Sequence, residues 1–463
     1  MFYLENEDIL RSKALKISIF EGMLAIVFLV AIQGHFFTKT VLELGGDEWI
    51  LGVLTSIQFL GQSFQLFVPK IIERIGSRKK FMLFGNGIGR GLWIILILFP
   101  LFGLKLSAGI LILTIGSSFI LMSMASNAWT SWMRDLVPQE IMGSYFGKRN
   151  LFVTLTSMAS IYTFSMILDA RPDIVGIQII LSIALASAFA SLWFIQKQYE
   201  PPLKESSAWG EVIEAFNNRN FRKLLTFGFY WNFIILFSSP YFSYHLLENM
   251  KFQFKYIGYF SLISSTLSML FYLIWGKLAD KIGHKNIFRI GASGAVVLAT
   301  MWGFMTPKTV WQILFADSVL AAFAWSAINI SLFTIPILVS GKSTSVYISL
   351  FATFSGIGGF LGSLVGGAVA KALSDVHVIL GGLEFWGVQF MFIAAGVLRA
   401  ISIVWMNRVN VVGHVSLRNY LFVGFSNITR RVISGISEQP PVTRMVKYVR
   451  HIRQISKKEK EVL

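Results

Sequence analysis

The chain is 463 residues long, 54% hydrophobic and 14% charged, with a formal net charge of +17 and no cysteine. A mean hydropathy of +0.64 together with 15% aromatic residues excludes a water-soluble globule and places the chain in a lipid bilayer. The missing cysteines exclude a disulfide framework and thiolate metal sites, and no Gly-x-x-x-x-Gly-Lys-Ser/Thr loop is present, so no metal, no cofactor and no enzymatic activity are expected.

Along the chain, Arg11, Lys13 and Lys16 precede an apolar run that opens at Ile17. The run is too long for a secretory signal, has no small-x-small cleavage pattern and is followed by many more, so it reads as a first membrane-spanning helix. Twelve such stretches, each near the ~20 residues that cross ~30 Å of hydrocarbon, begin near positions 17, 49, 81, 107, 147, 174, 223, 255, 287, 309, 346 and 385. A polar interruption at 197–222, carrying Pro201-Pro202, separates residues 17–196 from 223–408; residues 1–16 and 409–463 flank them.

Basic residues fall in alternate connections: Arg11 to Lys16, Arg74 to Lys80, Arg134 to Arg149, Lys197 to Lys223, Lys277 to Lys285, Lys342 and the tail. The opposite connections hold Glu43, Asp47, Glu48, Asp169, Asp173, Glu248 and Asp375 with few cations. By the positive-inside rule both termini are cytoplasmic, as an even number of spans requires. The positive charge therefore records topology rather than nucleic-acid binding. Beyond Arg408, Val442, Met445, Val446, Val449, Ile452 and Ile455 recur at helical spacing among basic residues. That pattern predicts an amphipathic helix on the anionic inner leaflet, with anionic lipids as partners.

One charged loop occurs twice. Gly276-Lys277-Leu278-Ala279-Asp280-Lys281-Ile282-Gly283-His284-Lys285 follows the eighth span, and Pro69-Lys70-Ile71-Ile72-Glu73-Arg74-Ile75-Gly76-Ser77-Arg78-Lys79 follows the second. Each has an acid at its fifth position and a glycine at its eighth, which marks an internal duplication. The second span of each half also carries a polar stripe at helical spacing: Gln58, Gln62 and Gln65, then Ser261, Ser264, Ser265 and Ser268. The fourth spans correspond through Asn127 with Pro138 and Asn329 with Pro336.

On these motifs, residues 10–408 resemble a major facilitator superfamily (MFS) transporter, and Trp129 to Arg149 with Phe323 to Gly367 resemble an uncharacterised bacterial branch of it. The amino-terminal loop departs from the family signature through Pro69, Glu73 and Ser77, which displaces the basic residue by one. The resemblance implies an all-α integral membrane fold of twelve transmembrane helices in two six-helix bundles, a monomer in the plasma membrane, and a small-molecule substrate held between the bundles. It implies gating by Gly276, Asp280, Lys281, Gly283 and Lys285 and by Glu73, Arg74, Gly76 and Arg78, with Arg134 and Asp135 as partners. It also places the cavity against the first and fourth spans of each half, which nominates Gln33, Asn127, Trp129, Asn232, Trp325 and Asn329, with Gln58 and Gln62 from the second.

Arg90 lies deep in the third span, where an unpaired charge costs at least ~2.5 kcal/mol, so it must pair, line water or bind solute. Arg399 on the last span is near enough to the interface to snorkel. Protons are the expected coupling ion, carried by Asp317, Glu21 or His35, since coupling needs a group whose charge changes as access alternates. Gly356, Gly358, Gly359, Gly362, Gly366 and Gly367 on the eleventh span permit close helix approach. They resemble an antiporter signature that in the family sits on the fifth span, where Leu151 to Leu168 has no glycine. The aromatic seventh span, Phe227 to Tyr244, favours proton-coupled efflux of lipophilic compounds. The alternative is a proton-coupled permease importing a sugar or other small nutrient. A non-transporting receptor or scaffold would have lost both loop copies, and the second is intact.

Overall fold

The structure, a computed structural model, describes residues 2–64, 68–138, 141–203, 209–340, 344–380 and 383–411. Gln65, Lys342 and the predicted tail helix lie outside the described residues. The first half comprises α1 (Phe2–Ala31), α2 (Gly34–Glu43), α3 (Glu48–Ser63), α4 (Val68–Ile75), α5 (Arg78–Gly91), α6 (Trp93–Leu101), α7 (Ala108–Leu136), α8 (Met142–Ala170) and α9 (Ile174–Lys197). A short α10 (Trp209–Asn217) leads into the second half: α11 (Arg219–Tyr244), α12 (Phe254–Ile282), α13 (His284–Trp302), α14 (Val310–Val339), α15 (Thr344–Ala372) and α16 (Gly387–Met406). With α1–α2, α3–α4 and α5–α6 each taken as one interrupted rod, these make six rods per half.

Side-chain caps fix where several rods begin. Asp47, Ser77, Ser107, Asp173 and Asn218 each accept a hydrogen bond from a backbone N–H of the first turn, satisfying donors that a helix otherwise leaves unpaired. Among the described residues, nine helices are long and apolar enough to cross a membrane. The other rods fall short for local reasons: α3 and α4 are separate elements, α11 mixes Tyr, Trp and Asn into its apolar run, and α13 has 19 residues and opens on His284-Lys285. An antiparallel hairpin, β1 (His377–Leu380) with β2 (Leu383–Trp386), precedes α16.

The halves meet where α3 crosses α15 and where α8 crosses α12, and α15 also packs along α11. Glycine makes both α15 contacts possible. A Cβ at Gly358, Gly362 or Gly366 would run into the carbonyl oxygens of Phe229, Phe233 and Phe237 on α11, one helical turn apart. Gly356 and Gly359 lie instead against Phe59 and Gln62 of α3, and Gly367 against Gly52. One helix thus presents one glycine face to its own bundle and another to the opposite one. Replacing Gly362 with Ala is expected to lower stability by about 1–3 kcal/mol, the usual range for overpacking, read as a lower thermal unfolding midpoint in detergent; an unchanged midpoint would refute this packing.

Candidate functional site

A cavity of about 340 Å³ lies between the halves, within the range of small-molecule sites. His35 of α2 and Ile161 of α8 line it from the first half, and Ser261, Ser264, Ser265 and Ser268 of α12, Trp302 of α13 and Asp317 of α14 from the second. The serine stripe of the sequence therefore faces one space together with two of the three candidate proton carriers. The Trp302 indole N–H donates to Asp317 Oδ1 at 2.7 Å, and His35 Nδ1 is buried without a hydrogen-bond partner. In the first half the matching bond is Trp93 Nε1 to Ser118 Oγ, 2.8 Å. The duplicated fold thus uses a neutral acceptor in one half and a carboxylate in the other. Among the described residues, no group of three or more carboxylates and imidazoles could hold a metal ion.

At one end of the cavity the halves are clamped together. Tyr241 and Tyr244 donate to the backbone oxygen and the carboxylate of Glu48, at 3.2 and 2.5 Å, and Ser363 Oγ donates to the Gly52 carbonyl at 3.0 Å. Lys371 Nζ lies 3.0 Å from Asp47 Oδ2, and Lys255 lies 3.6 Å from Asp169 across the α8–α12 crossing. Beneath them, Phe36 of α2 packs against Phe164 of α8 and Phe254 of α12. These contacts belong to the acidic connections. At the basic end Glu73, Arg74, Asp280 and Lys281 are exposed.

Partial burial pushes the Asp47 carboxyl upward, but the Ile50 N–H and the Lys371 ammonium outweigh it and hold the group below its ordinary value. A depressed value means the Asp47–Lys371 contact is fully formed above the ordinary carboxyl value of about 3.9 and is lost as pH falls through the depressed one. Labelling of a cysteine placed at this end, taken at each pH relative to the same cysteine in the unfolded chain to cancel the titration of the thiol itself, should therefore stay flat from pH 8 to 5 and rise only in stronger acid, with Asp47→Asn removing that rise. A rise near neutral pH that Asp47→Asn abolished would contradict the assignment.

The duplicated loops hold helices within each half. Gly76 and Gly283 both have positive φ, +72° and +83°, at the eighth position, a backbone shape that side chains with a Cβ resist. The tenth-position residues are buried and bonded: Arg78 Nη2 to Asp135 Oδ2 at 2.5 Å, and Lys285 Nζ to the Asn407 and Val409 carbonyls at 3.0 and 2.7 Å. Lys79 Nζ likewise reaches the Gln198 carbonyl, 2.9 Å. In both halves a lysine thus holds carbonyls at the end of the sixth rod, where the helix dipole favours a cation. Arg134, 60% exposed, lies 3.5 Å from Asp135. Gly276 stands within the last two turns of α12, with Ile330 alone among the described residues near its missing side chain.

The remaining nominated residues are dispersed. Arg90 is buried and donates to the Ala188 carbonyl and Ser191 Oγ on α9. Arg399 does not snorkel: it is 2% exposed and bonds Ala295 O and Ser238 Oγ, because α16 packs inside its bundle at that level. Glu21 lies 3.5 Å from Arg149, whose guanidinium sits over Trp129. Asn232 donates to the Gly228 carbonyl of its own helix, Asn329 donates to the Tyr272 hydroxyl, Trp325 packs on the core of the second half, and Asn127, Gln58 and Gln62 are half-buried. Gln33 is exposed at the break between α1 and α2.

Several site residues were not anticipated. Trp302 was findable as the counterpart of Trp93. Arg149, Glu48, Tyr241 and Tyr244 act across more than a hundred residues of sequence, and Glu200, which accepts from Ser77 Oγ and the Arg78 backbone N–H, does likewise. No local spacing announces them.

The chain matches the sequence profile of the Major Facilitator Superfamily over residues 17–363. A probable peptide/nitrate transporter of Arabidopsis thaliana is 29% identical over 124 residues, 27% of this chain, and the match spans 24% of that relative's length. A mutant form of the nucleoside transporter NupG superposes with a TM-score of 0.67 at 14% identity, covering 86% of this chain and 100% of the other. A D-xylose-proton symporter superposes with a TM-score of 0.65 at 12% identity, covering 85% and 97%. With twelve helical rods in two related bundles and a cavity between them, the chain belongs to the Major Facilitator Superfamily and is a multi-pass membrane protein.

Proposed function

We propose that the protein moves a small polar solute across the cell membrane by alternating access, driven by the proton gradient through Asp317. The observation that carries this reading is the lining of the cavity, where five serines, an imidazole and a carboxylate converge. His35 Nδ1 is buried without a partner and the stripe serines are half-buried; polar groups that lose water need partners, and a hydroxyl-bearing solute supplies them. Lipophilic export is less favoured, because Phe227, Trp231 and Tyr241 of α11 are buried in helix packing. The structurally similar D-xylose-proton symporter, as its name states, couples a polar solute to protons. With the basic connections cytoplasmic, the clamped acidic end is the outer gate and the described state opens inward. Asp280 and Glu73, exposed at the open end, then act as inner latches when that end closes.

The test is accumulation of labelled D-xylose, uridine and a dipeptide in proteoliposomes under an imposed pH gradient. Uptake of one of them that an uncoupler abolishes is the expected result. Uncoupler-sensitive extrusion of lipophilic cations, with no movement of any polar solute, would overturn it.

A further inference from the structure

The cavity does not account for a second polar cluster in the first half. Glu21 on α1 and Arg90 on α5 are 3% and 4% exposed, and the Arg149 side chain on α8 is 13% exposed. Two guanidinium groups therefore share one carboxylate inside the membrane, leaving one positive charge in excess. Arg90 is held by α9 oxygens and the face of Phe28, 5.8 Å from its ring centre. Arg149 is held by longer contacts. Its Nε donates to the Ser18 carbonyl at 3.3 Å, and its Nη2 stands 3.5 Å from Glu21 Oε2.

The surroundings are built for that guanidinium. A Cβ at Gly22 would come within 2.5 Å of Arg149 Nη2, so a larger residue there would displace the guanidinium from this position. Trp129 lies under it, 4.5 Å from ring centre to guanidinium carbon, and the Trp129 indole N–H is buried without an acceptor. An unmet donor and an excess cation side by side lack the same thing, a negatively charged acceptor. An excess charge in hydrocarbon is costly, and guanidinium bonds to oxyanions are among the strongest available.

We propose that Arg149 and the Trp129 indole N–H form a binding point for an oxyanion, a carboxylate or phosphate carried by the transported solute. The proposal rests on the transporter reading for the source of its ligand, and adds that the solute is an anion. Glu21 then has a defined part: it neutralises Arg149 while the site is empty and yields the guanidinium when the oxyanion arrives.

The test is thermal unfolding of the full-length protein in neutral detergent, titrated with gluconate, glucose 6-phosphate and glucose, which share a hydroxylated body and differ in the anionic group. A saturable rise in midpoint with either anion and none with glucose is expected; the anion that gives it identifies carboxylate or phosphate as the group bound. Arg149→Gln should raise the apparent Kd about 10- to 100-fold, the loss of one charged hydrogen bond. Trp129→Phe keeps the ring under the guanidinium and removes only the N–H, so it should weaken binding while leaving the ligand-free midpoint in place. If Arg149→Gln does not fold, Trp129→Phe carries the comparison. Absence of any anion-dependent rise, or a rise that Trp129→Phe leaves unchanged, would overturn the proposal. Proton-driven transport of a neutral sugar in that case would leave the transporter reading standing, whereas absence of all solute flux would remove both.

Discussion

Asp317→Asn is expected to abolish gradient-driven accumulation while sparing solute exchange. Trp302 bonds Asp317 Oδ1; asparagine keeps that oxygen as an acceptor, and the corresponding bond in the first half is served by the neutral Ser118. The fold therefore does not need a charge here. Coupling does, because a proton crosses only on a group that binds and releases it as access alternates. With one proton per solute and a gradient of one pH unit, the wild type should reach about tenfold accumulation and the variant about onefold. Counterflow, which needs only the loaded transporter to rock, should persist. Retained accumulation in Asp317→Asn would reduce Asp317 to a structural acceptor for the indole.

Gly52→Val is expected to prevent closure of the acidic end. A Cβ at Gly52 would lie 2.6 Å from the Gly367 Cα, 2.7 Å from the Tyr241 hydroxyl and 3.0 Å from the Ser363 carbonyl. Two of these obstacles are backbone, so rotamer changes do not relieve them. Overpacking costs about 1–3 kcal/mol. Here that cost falls only on the state in which α3 and α15 touch, so it shifts the equilibrium about 5- to 150-fold towards the state open at this end. Gly362→Ala, on the other glycine face of α15, should instead lower stability without biasing the direction of opening. Equal effects of the two substitutions on stability, with no change in access, would mean that the two faces have no separate roles.

The contrast between those two glycines shows how far sequence patterning reached. The run of glycines marked α15 as a close-packing helix, and hydropathy marked twelve rods, because both properties repeat locally. Spacing did not reveal which glycine faces which neighbour, since α3 and α11 lie far away along the chain. The serine stripe of α12 and Asp317 were legible as polar exceptions in apolar runs. The clamp of Glu48 with Tyr241 and Tyr244 was not, because tyrosines near a helix end also fit an interface belt. Arg149 was submerged in the basic cluster that specifies topology, and only the fold separates it from its neighbours by bringing it to Glu21 and Trp129. The hairpin before α16 had a local signal, two apolar runs separated by Gly381-Gly382, which hydropathy averaging obscured.

The chain has no cysteine, so paired spin labels can be placed without altering native thiols. The most direct test of alternating access about this cavity is electron–electron distance measurement in proteoliposomes, with Lys105→Cys and Lys308→Cys at the acidic end and Lys80→Cys and Lys281→Cys at the basic end. When solute and protons are added, the acidic-end distance should lengthen as the basic-end distance shortens, and Gly52→Val should hold the pair in that arrangement. Distances that stay fixed, or that lengthen together at both ends, would contradict the account.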